Sequence, residues 1–225
     1  MHPPLLDYLA SLTPDLSAIP PARKRLLGEL AAYVRRRLDL GSPVRLDFIC
    51  THNSRRSHLA QIWAAVAAAH TGLRGIETYS AGTEATAFNP RAVAALQRAG
   101  FRITTITNEP DPQTTDSPSS SPPNPIYKVE FAPGTPPLLC FSKALDHPDN
   151  PPRDFAAVMT CSDADANCPI LPGADVRISL PYRDPKESDG TPEEAQTYDQ
   201  RSRQIAAEML FAMRTAAGLE PAMPE

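Results

Sequence analysis

Val44-Arg-Leu-Asp-Phe-Ile-Cys50-Thr-His-Asn-Ser-Arg-Arg56-Ser57 is the stretch from which the rest of the chain can be read. An apolar run ending in cysteine predicts a buried strand, and the alanine-rich pattern from Ser57 to His70 predicts a helix. Between them lies a polar loop in which Cys50 and Arg56 stand as C-x5-R. A loop wrapped between a strand end and a helix start turns backbone N–H groups toward one point, with the positive end of the helix dipole behind them. Thr51, His52, Asn53, Ser54, Arg55, Arg56 and Ser57 therefore form a candidate oxyanion nest. Arg56 adds a planar fork suited to a tetrahedral oxyanion such as phosphate or arsenate. The same field favours a thiolate, which makes Cys50 a candidate nucleophile with Ser57 in reach of its sulfur. The bland alternative, a structural cysteine beside two solvated arginines, lacks a reason for the strand before and the helix after.

Composition narrows the setting. The chain has 225 residues, room for one core with appendages or for two small domains, and a net charge of −4 that gives no support to a nucleic-acid partner. No apolar run reaches the roughly 20 residues of a membrane span. The opening Met-His-Pro-Pro lacks the pattern of a signal peptide. Four cysteines in a chain of this size read as cytoplasmic catalytic or redox thiols rather than a disulfide framework.

Residues 1–43 read as two helices, one ending near Thr13-Pro14 and one running from Pro20-Pro21 to a stop at Gly41. Lys24, Arg25 and Arg35 to Arg37 read as a solvated face, and His58 and His70 as surface or cap residues. Ile76–Ser80 reads as a strand before an Ala81-Gly82-Thr83 turn. Asn89-Pro90 caps a helix closed by Gly100, and residues 101–105 suggest another strand. Residues 109–125, rich in Pro, Ser, Thr and Asp, read as a mobile loop. Residues 126–131 and 138–142 read as a β-hairpin holding Cys140 as a small core residue. Strands at 155–160 and 176–180 lead to Cys161-Ser-Asp-Ala-Asp-Ala-Asn-Cys168 and to Asp184-Pro185, and Thr191 to Glu194 read as a capping box for a long terminal helix. Alternating strands and helices predict an α/β fold with a doubly wound parallel sheet, extended by N-terminal helices (1–43) and an inserted hairpin (109–153) within a domain spanning 44–217, with a short tail at 218–225. Cys50, Cys161 and Asp184 all follow strands, so they share the sheet edge where α/β sites form.

These residues resemble the low-molecular-weight protein tyrosine phosphatase superfamily, in particular its thioredoxin-coupled arsenate reductase branch. The loop from Cys50 to Ser57 is similar to the family's phosphate-binding loop. Tyr79-Ser-Ala-Gly-Thr-Glu, Asn89-Pro-Arg-Ala and Asp184-Pro185 match segments common to phosphatases and reductases. Cys161 and Cys168, spaced as they are, resemble the reductase branch. The resemblance implies that Cys50 attacks arsenate, that Asp184 protonates the leaving oxygen, and that Cys161 and then Cys168 carry a disulfide to a loop reduced by thioredoxin or another thiol donor. It further implies that Asn53 shapes the nest; no bound cofactor or metal is expected.

Three departures stand out. His52 occupies the family's usual glycine, at a cost if that position needs a positive φ. Arg55 replaces a common cysteine and adds charge. Gln61 replaces an acidic residue tied in some reductases to a potassium ion. Two other readings stay open: a phosphatase for phosphotyrosine or small esters, needing only Cys50, Arg56 and Asp184, and a metal or arsenic site from Cys140, His147, Cys161 and Cys168. Cys-x6-Cys is not a usual zinc spacing, which weighs against the second. The insertion is expected to cover the site's edge and restrict substrates.

Overall fold

A computed structural model of the chain describes residues 1–106, 124–167 and 171–219, with the side chain of Asn167 excepted. Its centre is a four-stranded parallel sheet in the order β2-β1-β6-β7, built from β1 (Val44–Cys50), β2 (Ile76–Gly82), β6 (Phe155–Met159) and β7 (Ala174–Ser179). Alternation along the strands divides the side chains between two faces. Val44, Leu46 and Phe48 of β1, with Ala156 and Val158 of β6, join the larger core. Ile49 of β1 and Phe155, Ala157 and Met159 of β6 form a smaller cluster on the other side, which Cys50 joins at the end of β1.

Three helices cover the larger face: α3 (Pro21–Asp39), α4 (Arg56–His70) and α7 (Glu194–Ala216). The N-terminal helices share this core, since Leu5, Leu9 and Leu12 are buried within it. Tyr8 stacks on Trp63 with ring centroids 5.3 Å apart, and Trp63 Nε1 donates to Ser202 Oγ at 2.9 Å, which ties α1 (Pro3–Ala10), α4 and α7 together. Thr13-Pro14 opens a separate helix, α2 (Thr13–Ala18), where the sequence had suggested an end. Proline in a first turn gives up an N–H that has no partner there anyway.

A second, antiparallel sheet runs β3-β4-β5, from β3 (Arg102–Ile106), β4 (Ile126–Glu130) and β5 (Leu138–Cys140). The expected hairpin is present, and the strand expected at 101–105 pairs with it rather than with the parallel sheet. Most of the loop expected at 109–125 lies outside the described residues, as does nearly all of the tail. Asn89 caps α5 (Pro90–Arg98) as read, its Oδ1 accepting from Arg91 N at 2.9 Å.

Two local expectations fail. Thr191 does not cap α7: its hydroxyl donates to Ser188 O, while the Glu194 carboxylate accepts from Gly190 N and pairs with Arg91 of α5 at 2.7 Å. The cross-helix ion pair takes the carboxylate that a capping box needs. His58 is fully buried, not at the surface, because α4 is enclosed almost all round. It hydrogen-bonds Ser80 Oγ at 3.1 Å and stacks on Phe88, and burial holds its pKa well below the usual value. Among the described residues no helix is long and apolar enough to cross a membrane.

Candidate active site

β1, β6 and β7 run parallel side by side, so their C-terminal ends meet at one edge, and the loops leaving them carry Cys50, Cys161 and Asp184. Cys50 is the last residue of β1 and is almost fully buried. The chain then turns through 51–55 into α4, whose N-cap Arg55 offers no side-chain acceptor to the helix's first N–H groups.

The loop's carbonyls are engaged from outside. Cys50 O accepts from Thr83 N at 3.2 Å, Thr51 O from Glu84 N at 2.8 Å, and Ser54 O from Asn89 N at 2.9 Å. His52 O accepts from the hydroxyls of Thr86 and Ser142 at 3.0 and 3.1 Å. By contrast, no N–H from Thr51 to Ser57 finds an acceptor among the described residues. Backbone donors seldom stay unpaired, so a run of them wrapped about one point is a site for an anion.

Asn53 supplies the backbone twist. It has φ 41° and is fully buried, whereas His52 is not in the left-handed region, so the strain anticipated for His52 falls one residue later. Asparagine tolerates that conformation better than most side chains. Its Nδ2 donates to Ser57 Oγ at 2.9 Å, and Ser57 Oγ lies 3.1 Å from Cys50 Sγ. Its Oδ1 accepts from Lys143 N at 2.7 Å. Close approach also fixes Gly82, where a Cβ would sit 2.5 Å from Glu84 O and 2.6 Å from Asn53 N.

Arg56 is nearly buried and its guanidinium faces the loop after β7, donating to Tyr182 O at 3.0 Å and to Asp184 Oδ2 at 2.8 Å. Asp184 also accepts from Lys186 N at 3.1 Å. Arg55 is held by Tyr198 OH at 3.0 Å and lies 3.7 Å from Asp184 and 4.0 Å from Asp189. The loop carrying Asp184 is thus clamped to the nest by two adjacent arginines. His52 sits outward, its ring 3.8 Å from Glu84.

Cys161 is fully buried just past β6, at the start of α6 (Ser162–Asn167). Its sulfur lies 3.4 Å from the Thr51 hydroxyl and accepts from Ala164 N at 3.3 Å. Cys50 and Cys161 share one buried cluster. Cys168 lies outside the described residues. Cys140 is buried in β5, where burial pushes its thiol up to about 12 and leaves it inert at neutral pH. Gln61 is committed to the sheet, donating to Thr78 O at 3.0 Å.

The sequence reading missed the braces from the insertion, Ser142 and Lys143, and the Tyr198–Asp189 support of Arg55, in which Tyr198 OH donates to Asp189 Oδ1 at 2.8 Å. The Lys143 contact is made by a backbone N–H, which any residue but proline provides, so composition carries no signal for it.

A family model for low molecular weight phosphotyrosine protein phosphatase matches residues 45–117. The chain is 29% identical over 163 residues to an arsenate reductase of Bacillus licheniformis, covering 72% of this chain and 89% of that one. It is 30% identical over 158 residues to an arsenate reductase of Bacillus subtilis, covering 69% and 84%. An arsenate reductase 2 of Staphylococcus haemolyticus is 31% identical over 127 residues, covering 56% and 66%.

Proposed function

Since the chain belongs to the low-molecular-weight protein tyrosine phosphatase superfamily, on its arsenate reductase branch, we propose that this enzyme reduces arsenate to arsenite through three of its own thiols. The observation that carries the reading is the position of the Cys161 sulfur, 3.4 Å from the hydroxyl of the residue that follows Cys50. A phosphatase needs no second thiol there.

Arsenate enters the nest and takes hydrogen bonds from the N–H groups of 51–57 and from the Arg56 fork. Arg56 turning to the anion loosens its hold on Asp184, which Lys186 N and Arg55 keep beside the site. The Cys50 thiolate attacks arsenic, and the departing oxygen leaves as water with a proton from Asp184. Ser57, oriented by Asn53, stabilises the thiolate. Cys161 then attacks the Cys50 sulfur, an S–S bond forms, and arsenic departs with the electron pair as arsenite. Cys168 attacks Cys161, which frees Cys50 and leaves a Cys161–Cys168 disulfide. An external dithiol of the thioredoxin type reduces that disulfide, with no resident cofactor. Reduced thiols of this kind suit the cytoplasm.

The clamp of Arg56 and Asp184 also supports a second reading, phosphomonoester hydrolysis through a phosphocysteine, because it brings an acid to the nest without the other thiols. Arsenate, thioredoxin, thioredoxin reductase and NADPH assayed together separate the two. Arsenate-dependent NADPH oxidation abolished by Cys50→Ser, Cys161→Ser and Cys168→Ser supports the relay. Ester hydrolysis that needs only Cys50, with no arsenate-dependent oxidation, replaces it with the phosphatase.

A further inference from the structure

The face of the parallel sheet that bears the smaller cluster carries a cavity of 390 Å³, lined by none of the nest residues 50–57. That size falls within the range of small-molecule pockets, about 300–1,000 Å³. β1 contributes Asp47 and β6 Phe155; segments 145–152 and 171–172 provide the rest, with Leu145, His147, Asn150 and Leu171 among them. The lining is mostly apolar, yet two of its oxygens, Asp47 Oδ1 and Asn150 Oδ1, find no donor among the described residues. Both residues are more than nine-tenths buried, at 2% and 6% exposure. The Asn150 amide is not free to turn and repair this, because its Nδ2 donates to Ala144 O at 2.7 Å.

A buried carboxylate without a contacting cation is costly, and native proteins rarely keep one without a use. No ion pair reaches Asp47 among the described residues. Lys143 acts on it only from a distance.

We propose that this cavity binds a small organic ammonium ion, its N–H groups shared between Asp47 and Asn150 and its alkyl body packed against Leu145, Phe155 and Leu171. A cation is favoured over a neutral donor because it pairs the carboxylate as well as satisfying both acceptors. A primary ammonium has three donors, enough for both oxygens, and the apolar walls select a short chain over a bare ion.

Binding must follow the ionisation of Asp47. Burial raises that carboxyl to about 7, with Lys143 pulling the other way, and Asp146 and His147 are the remaining titratable groups on the wall. Affinity for the ammonium therefore rises between pH 6 and pH 8.

n-Butylammonium chloride and butan-1-ol, titrated separately into the full chain and followed by ¹⁵N NMR and calorimetry, test this. The expected result is saturable shifts at the Asn150 side-chain amide with butylammonium, tightening with pH, and binding of butan-1-ol weaker by about tenfold or more. Asp47→Asn, close in shape, should remove the pH dependence and cost butylammonium about tenfold in affinity. Equal binding of the two probes, shifts centred elsewhere, no binding of butylammonium up to about 50 mM, or unchanged binding in Asp47→Asn would each overturn the site. The wild-type pH series decides the matter even if the variant does not fold.

Discussion

Replacing Asn53 by alanine tests how the nest is held. The substitution acts on three features together. Alanine lacks the short polar side chain that eases a φ of 41°, and left-handed backbone costs ordinary residues about 1–2 kcal/mol. Loss of Oδ1 leaves the buried Lys143 N–H without an acceptor, worth about 1–3 kcal/mol. Loss of Nδ2 removes the bond to Ser57, worth about 1 kcal/mol. Allowing for overlap among contacts in one network, the expected destabilisation is about 3–5 kcal/mol. Urea unfolding measures it as a lower midpoint at unchanged slope. Asn53→Gly, which tolerates the backbone but makes neither bond, should recover about 1 kcal/mol of that loss. Hydrolysis of para-nitrophenyl phosphate should fall in both variants, since Ser57 loses its orientation beside Cys50. A loss below about 1 kcal/mol in Asn53→Ala, or a glycine variant no better than alanine, would refute this account of the nest.

Other perturbations probe other parts. Gly82→Ala places a Cβ within 2.8 Å of three backbone atoms that no rotamer change can relieve, so thermal denaturation should show a loss of about 1–3 kcal/mol or more, together with weakened binding of inorganic phosphate. Arg56→Lys keeps the charge but loses the two-armed contact to Tyr182 and Asp184, and steady-state kinetics should show kcat/KM lower by about 10²-fold. Asp47 binds its proton more tightly in the folded chain (about 7) than the ordinary value of 3.8, so the folded state holds more protons between these values and stability falls as pH rises through that window. Asp47→Asn should consequently gain on the wild type by at most about 1.4 kcal/mol per pH unit from pH 4 to 7, and denaturant titrations showing a gap that does not grow with pH would contradict the assignment.

Much of the frame was legible locally. The apolar run at Val44, the alanine-rich pattern after Ser57 and the Asn89-Pro90 cap are each set by neighbours in sequence, and each appears where the pattern puts it. What escaped was set by distance in the chain. His58 looked like a surface residue because its neighbours say nothing of Phe88 and Ser80, which close over it from β2 and the segment after. Asp47 sat unremarked in a strand pattern, although its face opens on the second cluster rather than on solvent. Glu194 fits a capping box by spacing and is drawn off by Arg91, about a hundred residues away in the sequence. The brace from Lys143 N to Asn53 joins residues 90 apart through a backbone donor, which no residue type announces. His52 shows the limit of motif reading by position: the left-handed residue is its neighbour Asn53.

In the proposed relay Cys161 resolves the Cys50–arsenic bond. The test is Cys168→Ser, fully reduced and freed of external thiol, treated with excess arsenate, quenched in acid and mapped by peptide mass spectrometry. The expected result is a Cys50–Cys161 disulfide and about one arsenite released per chain, with no further turnover. A chain that forms no such disulfide and releases no arsenite, while still hydrolysing a phosphate ester, would contradict it.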